Sequence, residues 1–142
     1  MTLSSAGFGR ALPVAVVAGL AVGFLTAYGQ GWLGDSTGSL ANSAGPWALA
    51  AFVLAWWARR LPVSVAAAVV TLVCCEVGYV LATEVRGGSN ASSTVMFWIA
   101  AGVLAGPPLG VAGAWAAGSG WRRGAGFGVI GGVLLGEGWY GW

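Results

Sequence analysis

The sequence has no histidine and no lysine, and it has few charged residues of any kind. Histidine is the most common metal ligand and the usual base at neutral pH, so its absence excludes a Ser-His-Asp triad and leaves no cluster with metal-ligand spacing. Charged residues make up 7% of the chain, against about 25% in a typical soluble domain. A net charge of +2 gives no indication of nucleic-acid binding, and no phosphate-binding glycine loop is present. We therefore expect no cofactor, no metal and no nucleic-acid partner.

Long apolar segments dominate what the sequence does contain. Hydrophobic residues make up 58% of the 142 residues, which predicts an integral membrane protein with an all-α fold and a single domain. A membrane-spanning helix needs about 20 apolar residues, and five segments approach or exceed that length. The second is short if it begins at Pro46 and long enough if it begins near Ser39. The segments are residues 11–33, 39–58, 61–83, 95–115 and 124–142.

The placement of arginine predicts an orientation for this polytopic bundle. Five arginines fall on one side of a five-helix bundle, and only Arg86 falls on the other. Because positive residues concentrate on the cytoplasmic side, the N-terminus is predicted to be cytoplasmic and the C-terminus outside. Abundant alanine, glycine and valine with an all-arginine set of positive charges indicate a GC-rich genome, and the predicted location is a bacterial cell membrane. The five are Arg10, Arg59, Arg60, Arg122 and Arg123.

Small residues recur every four positions in three of the segments. Such stripes let helices approach closely in lipid, where packing drives their association. They favour a compact bundle, and they would serve a homodimer equally well. Pro107 and Pro108 predict a kink or break in the fourth helix because they remove amide donors and clash with the preceding turn. The stripes are Ala15, Gly19, Gly23 and Ala27; Gly102, Gly106, Gly110 and Ala114; and Gly128, Gly132 and Gly136.

Two glutamates lie inside the predicted helices, and each is followed three residues later by a tyrosine: Glu76 by Tyr79, and Glu137 by Tyr140. A carboxylate inside the bilayer costs roughly 2.5–3.5 kcal/mol and marks a functional site by default. At 1.5 Å per residue, Glu76 lies about 22 Å and Glu137 about 20 Å from the cytoplasmic ends of their helices. Both are therefore predicted in the outer half of the bilayer, as candidate catalytic residues. Either could also be a structural link between helices.

Aromatic and polar residues collect at the same level. Most of the nine tryptophans fit two interfacial belts, which is their ordinary place in membrane proteins. Trp98 and Trp139 are the candidates for a substrate pocket, where their π faces would stabilise a cation by about 2 kcal/mol or more. Tyr28 and Asn42 are predicted to line the same pocket, which opens toward the outer face. The outer belt consists of Trp32, Trp47, Trp98, Trp139 and Trp142, and the inner belt of Trp56, Trp57, Trp115 and Trp121.

Three stretches of the chain carry a resemblance: Leu40-Ala41-Asn42-Ser43-Ala44-Gly45-Pro46-Trp47, Phe97-Trp98 to Gly106-Pro107, and Gly136-Glu137-Gly138-Trp139-Tyr140. They resemble a family of small multi-pass membrane proteins of unknown function from high-GC bacteria, over nearly the whole chain. More loosely, the chain is similar in kind to the small membrane-embedded terpene cyclases that act on prenylated indoles. Those enzymes are multi-helix, metal-free and aromatic-rich, and they depend on intramembrane acids. The second resemblance implies an isomerase of terpenoid natural-product biosynthesis, without assigning a role to any residue.

Three functions are open at this point. In a metal-independent terpene cyclase, one buried glutamate would donate a proton to an alkene or epoxide of a prenyl chain, while the other glutamate or a tyrosine accepts or orients a proton. The substrate would then be a hydrophobic small molecule dissolved in the lipid bilayer. Small-molecule transport, or a substrate-binding membrane subunit, is favoured by the outward-facing pocket and the interrupted fourth helix. A structural membrane protein would use its carboxylates to join helices.

Overall fold

The computed structural model describes residues 7–32 and 44–140. The described residues form five α-helices, which confirms the predicted all-α fold. The second begins later than the longer of the two predicted starts, and residues 39–43 lie outside the described part of the chain, as do 141–142. The helices are α1 (Phe8–Trp32), α2 (Gly45–Ala58), α3 (Leu61–Val85), α4 (Ser92–Ala116) and α5 (Gly120–Tyr140).

Proline and one left-handed residue set the ends of the central helices. Pro46 and Pro62 occupy the first turns of α2 and α3, where a missing amide proton costs nothing and the fixed φ favours a helix. Arg59 follows α2 with φ 65°, so the chain reverses there before α3 begins. Pro107 and Pro108, by contrast, lie inside α4, which continues through them as one helix from Ser92 to Ala116. Of the predicted kink or break, the break is therefore wrong, and the kink stays a prediction.

Three of the helices are long and apolar enough to cross a membrane: α1 over Phe8–Gln30, α3 and α4. They indicate a membrane protein. The prediction of five spanning helices is thus supported for three, and α2 and α5 are not among them. The helix α2 has only 14 residues. At 1.5 Å per residue it would reach about 21 Å, against a hydrocarbon core about 30 Å thick. Large apolar side chains on the outer surface agree with a lipid environment, since Leu25 is 68% and Leu104 76% exposed.

Helices that follow one another in the sequence run antiparallel. Along the contact between α3 and α4, Gly102 lies beside Leu72 and Gly110 beside Val65, so the two chain directions oppose. By the same criterion α1 and α3 run parallel. One end of the bundle, called here the arginine end, therefore carries five of the six arginines, and Arg86 lies at the opposite end. The residues of the arginine end are Arg10, Arg59, Arg60, Arg122 and Arg123.

The short helix α2 occupies the centre, in contact with each of the other four helices. Its inner face is mainly alanine, which lets the neighbouring backbones approach closely. Two of the three predicted small-residue stripes pack inside the bundle, those of α1 and α4, and both lie against α3. Around the stripe of α5, a methyl group added at any of its three glycines would meet none of the described residues within 4 Å. The main core cluster consists of Ala48, Ala51, Phe52, Ala55, Ala68, Leu72, Leu109, Ala112, Ala116 and Ile130.

Candidate functional site

The side chain of Glu76 lies in the contact between α3 and α2. Leu72, Glu76 and Tyr79 follow one face of α3, because residues three and four apart are helical neighbours. Leu72 belongs to the core cluster that α2 shares, and the Tyr79 ring lies 6.2 Å from the ring of Trp47 at the start of α2. Glu76 lies between these two contacts and is only 3% exposed. The prediction that Glu76 and Tyr79 share a face agrees with this geometry.

No hydrogen bond or ion pair joins the Glu76 carboxyl group to any residue that the structure describes. Burying a polar group without a partner costs about 1–3 kcal/mol, and a buried unpaired charge costs more. Most buried polar side chains in proteins avoid that cost, so an exception calls for a specific explanation, of which a catalytic role is one. Glu76 combines a residue exposure of only 3%, an ionisable group and the lack of a partner among the described residues. Its carboxyl oxygens are not completely enclosed, in contrast to Nδ2 of Asn90, which is fully buried without a partner in the described part of the chain.

An aromatic cluster lies one turn beyond Glu76, formed by Trp47, Tyr79 and Trp98. The ring of Trp47 makes edge contacts with both of the others, at 6.2 Å between centroids in each case. Its indole N–H donates a hydrogen bond to the Thr26 hydroxyl of α1 at 3.2 Å, which fixes the orientation of the ring. The cluster thus joins α1, α2, α3 and α4 at the end of the bundle opposite the arginine end.

Trp47 belongs to this cluster although the sequence assigns it to an interfacial belt. The length of α2 could have indicated the position of Trp47 from the sequence. A helix that starts at Pro46 is too short to cross the bilayer, so its first turn must lie within the bundle. Its N–H then needs a partner, as buried indole groups usually do. Trp98, which is predicted to line the pocket, is 40% exposed and forms the outer edge of the cluster.

Tyr79 is held in place by α1. Its hydroxyl donates a hydrogen bond to Oε1 of Gln30 at 2.9 Å. One turn further along α3, the Thr83 hydroxyl donates to the Tyr79 carbonyl at 2.9 Å. Because the phenolic proton is already donated, Tyr79 offers the site an oxygen acceptor and an aromatic face.

Glu137 has a different environment, at the N-terminus of α2. Its Oε2 atom accepts a hydrogen bond from the backbone N–H of Ala44 at 3.1 Å. Ala44 is the N-cap residue of α2 and has no capping side chain of its own, so Glu137 supplies the missing acceptor from α5. A negative charge is also favourable there because the helix dipole is positive at that end. Both glutamates thus adjoin α2, one along its side and the other at its start.

The other predicted site residues are not brought into the cluster. The Tyr28 ring stacks on Phe24 at 5.0 Å, and the Arg86 guanidinium lies 5.4 Å from its centroid. Arg86 also donates a hydrogen bond to the Ala27 carbonyl. Trp139 is 84% exposed at the end of α5. Asn42 and the Tyr140 side chain lie outside the described residues.

This arrangement places the carboxyl group of a residue that is only 3% exposed one helical turn from the aromatic cluster, whose π faces favour positive charge. Its neutral form needs no counter-ion, and unpaired burial of its charged form would cost several kcal/mol. A buried neutral acid beside aromatic rings suits proton donation to an apolar molecule.

Comparison with known proteins identifies a family for this chain and does not indicate an activity. Residues 3–142 match a family described as a family of unknown function (DUF6518). No curated protein and no solved structure matches the chain. The match confirms the resemblance to a family of unknown function, and it supplies no residue role.

Proposed function

Since the chain belongs to the DUF6518 family, whose function is unknown, we propose a function from its own residues: a terpene cyclase of the bacterial cell membrane that uses Glu76 as its acid. The observation that carries this proposal is Glu76, a residue that is only 3% exposed and whose carboxyl group has no partner among the described residues. The aromatic cluster one turn away supports it. In the proposed orientation the arginine end is cytoplasmic, because positive residues concentrate on that side.

The proposed reaction is an isomerisation of a prenylated substrate. The Glu76 carboxyl group transfers its proton to one carbon of a terminal alkene, whose electron pair forms the new C–H bond and leaves a tertiary carbocation. The electron pair of a second alkene attacks that cation and closes a ring by a C–C bond. A neighbouring carbon then loses a proton to the Glu76 carboxylate, which forms an alkene and restores the acid. Atoms and charge balance without a co-reactant.

The surrounding residues would stabilise the cation. Trp47 and Trp98 present π faces, each worth about 2 kcal/mol or more toward a desolvated cation. Tyr79, oriented by Gln30, adds a third face. Glu137 would act indirectly, since it holds the start of the helix that carries Trp47. The hydrophobic substrate would reach this site from the lipid.

The two alternatives have lost part of their support. Transport was favoured by a discontinuous fourth helix, and α4 runs through both prolines without interruption. A purely structural role for carboxylates fits Glu137, which bonds to α2, better than Glu76, which bonds to no described residue. A structural Glu76 would change stability when replaced and leave any activity untouched.

The test is conversion of a farnesylated indole by membranes that contain the protein. We expect a cyclised product of unchanged mass in H2O and of one additional deuterium in D2O, detected by liquid chromatography with mass spectrometry. Glu76→Gln should lower the rate by about 10²- to 10⁴-fold, the usual contribution of a general acid. The matched control is Glu84→Gln, the same change at an exposed position of the same helix, which should keep full activity.

Two outcomes would overturn the proposal. One is a folded Glu76→Gln protein that cyclises at the normal rate. The other is the absence of any product from a panel of farnesylated and geranylgeranylated substrates, with the protein shown to be folded by its circular dichroism. In the second case, uptake of labelled small molecules into vesicles would test transport directly.

A further inference from the structure

An open cavity lies at the arginine end, at the turn between α4 and α5. Its volume is about 500 Å³, and it is lined by Ala114, Trp115, Gly118, Ser119, Trp121 and Arg122. That volume is within the range of small-molecule sites. The rings of Trp115 and Trp121 pack edge to face, with their centroids 5.5 Å apart, on one side of the cavity. Gly120 has φ 63°, a conformation that lets the chain turn sharply into α5 beside the cavity.

The cavity carries an uncompensated positive charge. The Arg122 guanidinium lies 5.8 Å from the centroid of the Trp121 ring, and no ion pair involves Arg122 in the part of the chain that the structure describes. The acidic residues within that part are far from it: Glu76 and Glu84 lie in the second half of α3 and Glu137 near the end of α5, all toward the opposite end. An anion would complete the charge balance here.

The available donors suit a phosphate group. Arginine binds phosphate through two parallel N–H groups, and Ser119, Trp115 and Trp121, which also line the cavity, are residues with further donor groups. The cavity also lies at the N-terminus of α5, where free backbone amides and the helix dipole attract anions.

The depth of the cavity points to a lipid. The spanning helix α4 ends at Ala116, directly beside it, so the cavity lies at the boundary where lipid headgroups are found. Trp121 is 71% exposed next to it, as is typical of tryptophans at that level. We propose that this cavity binds the phosphate group of an anionic phospholipid, independently of the chemistry at Glu76.

The test measures lipid binding to the full chain in a neutral detergent by native mass spectrometry. The probes are phosphatidylglycerol, phosphatidylcholine and inorganic phosphate. We expect phosphatidylglycerol to bind more tightly than phosphatidylcholine, and millimolar inorganic phosphate not to displace it. Arg122→Gln should weaken phosphatidylglycerol binding by roughly tenfold, the effect of losing one charged hydrogen-bond donor.

Arg123→Gln is the matched control. Arg123 is the next residue, and its guanidinium lies over the ring of Phe127, 6.0 Å from the centroid. Both arginines are exposed, but only Arg122 lines the cavity, so replacement of Arg123 should change binding by less than about twofold. If Arg122→Gln does not give folded protein, Arg122→Lys, which keeps the charge and removes the paired N–H groups, should still weaken binding.

Three results would overturn this inference. Equal losses in the two glutamine variants would show general attraction of the positive surface for anionic lipid. Equal binding of phosphatidylglycerol and phosphatidylcholine would show that the negative charge of the lipid does not determine binding. Displacement by inorganic phosphate would assign the cavity to a soluble anion.

Discussion

The close approach of α1 and α3 depends on Gly23. A methyl group added there would lie 2.7 Å from the carbonyl carbon and 2.9 Å from the Cα atom of Cys75. Carbon atoms normally pack at about 3.5–4.0 Å. Since the atoms in the way are backbone and not a flexible side chain, Gly23→Ala requires the two helices to separate by about 1 Å.

The magnitude follows from two opposed effects. Forcing an extra methyl group into a packed contact costs about 1–3 kcal/mol, and the rigid backbone partner places this case at the upper end. Alanine regains about 1 kcal/mol relative to glycine in a helix. The expected net loss is about 2 kcal/mol in the free energy of unfolding. At Gly132 of α5, where a methyl group would meet nothing within 4 Å, the same change should stabilise the protein by up to about 1 kcal/mol.

The assay is reversible unfolding in mixed micelles, titrated with sodium dodecyl sulfate and followed by circular dichroism. The two alanine variants should shift the midpoint in opposite directions. A Gly23→Ala protein that is as stable as the wild type, or that shifts with Gly132→Ala, would refute the close α1–α3 contact.

Two further substitutions, measured in the same unfolding assay, test the hydrogen bonds at the end of the bundle opposite the arginine end. Tyr79→Phe removes the bond to Gln30 and should cost about 1 kcal/mol, and an unchanged midpoint would mean that this bond contributes nothing. Glu137→Gln keeps an acceptor for the Ala44 amide and removes the negative charge, so it should lower the free energy of unfolding by about 0.3–1 kcal/mol. This loss should disappear at high salt, which screens the interaction with the helix dipole. A loss that salt does not reduce would contradict an effect of the helix dipole.

The fold could be predicted because a membrane leaves few options for the backbone. Its polar groups must be satisfied within each segment, so an apolar run in a sequence of this composition becomes a helix. α3 begins at its predicted first residue, Leu61, directly after the Arg59-Arg60 pair that separates the second and third apolar segments. The beginnings of α4 and α5 each lie a few residues earlier than predicted, since Ser92 and Gly120 are polar or small and carry no hydrophobic signal.

The element that packs against a helix face was harder to predict from the sequence than the face itself. The spacing of small residues in α5 is the same as in α1 and α4, yet among the described helices only the stripes of α1 and α4 lie against another helix. Periodicity identifies the side of a helix and gives no information on which element covers it. The contribution of Trp47 was missed for a related reason, because its position depends on how α2 is placed among its neighbours.

The two glutamates show how far a shared motif can mislead. Each precedes a tyrosine by three residues, and rise per residue places them at similar depth. What separates them is the start of α2 at Gly45, which lies within reach of α5. The Ala44 amide there donates a hydrogen bond to Glu137, whereas Glu76 lies on the face of α3 that follows the side of α2, where the backbone amides are used within the helix. The same motif therefore gives one carboxyl group a backbone donor and leaves the other without a partner among the described residues.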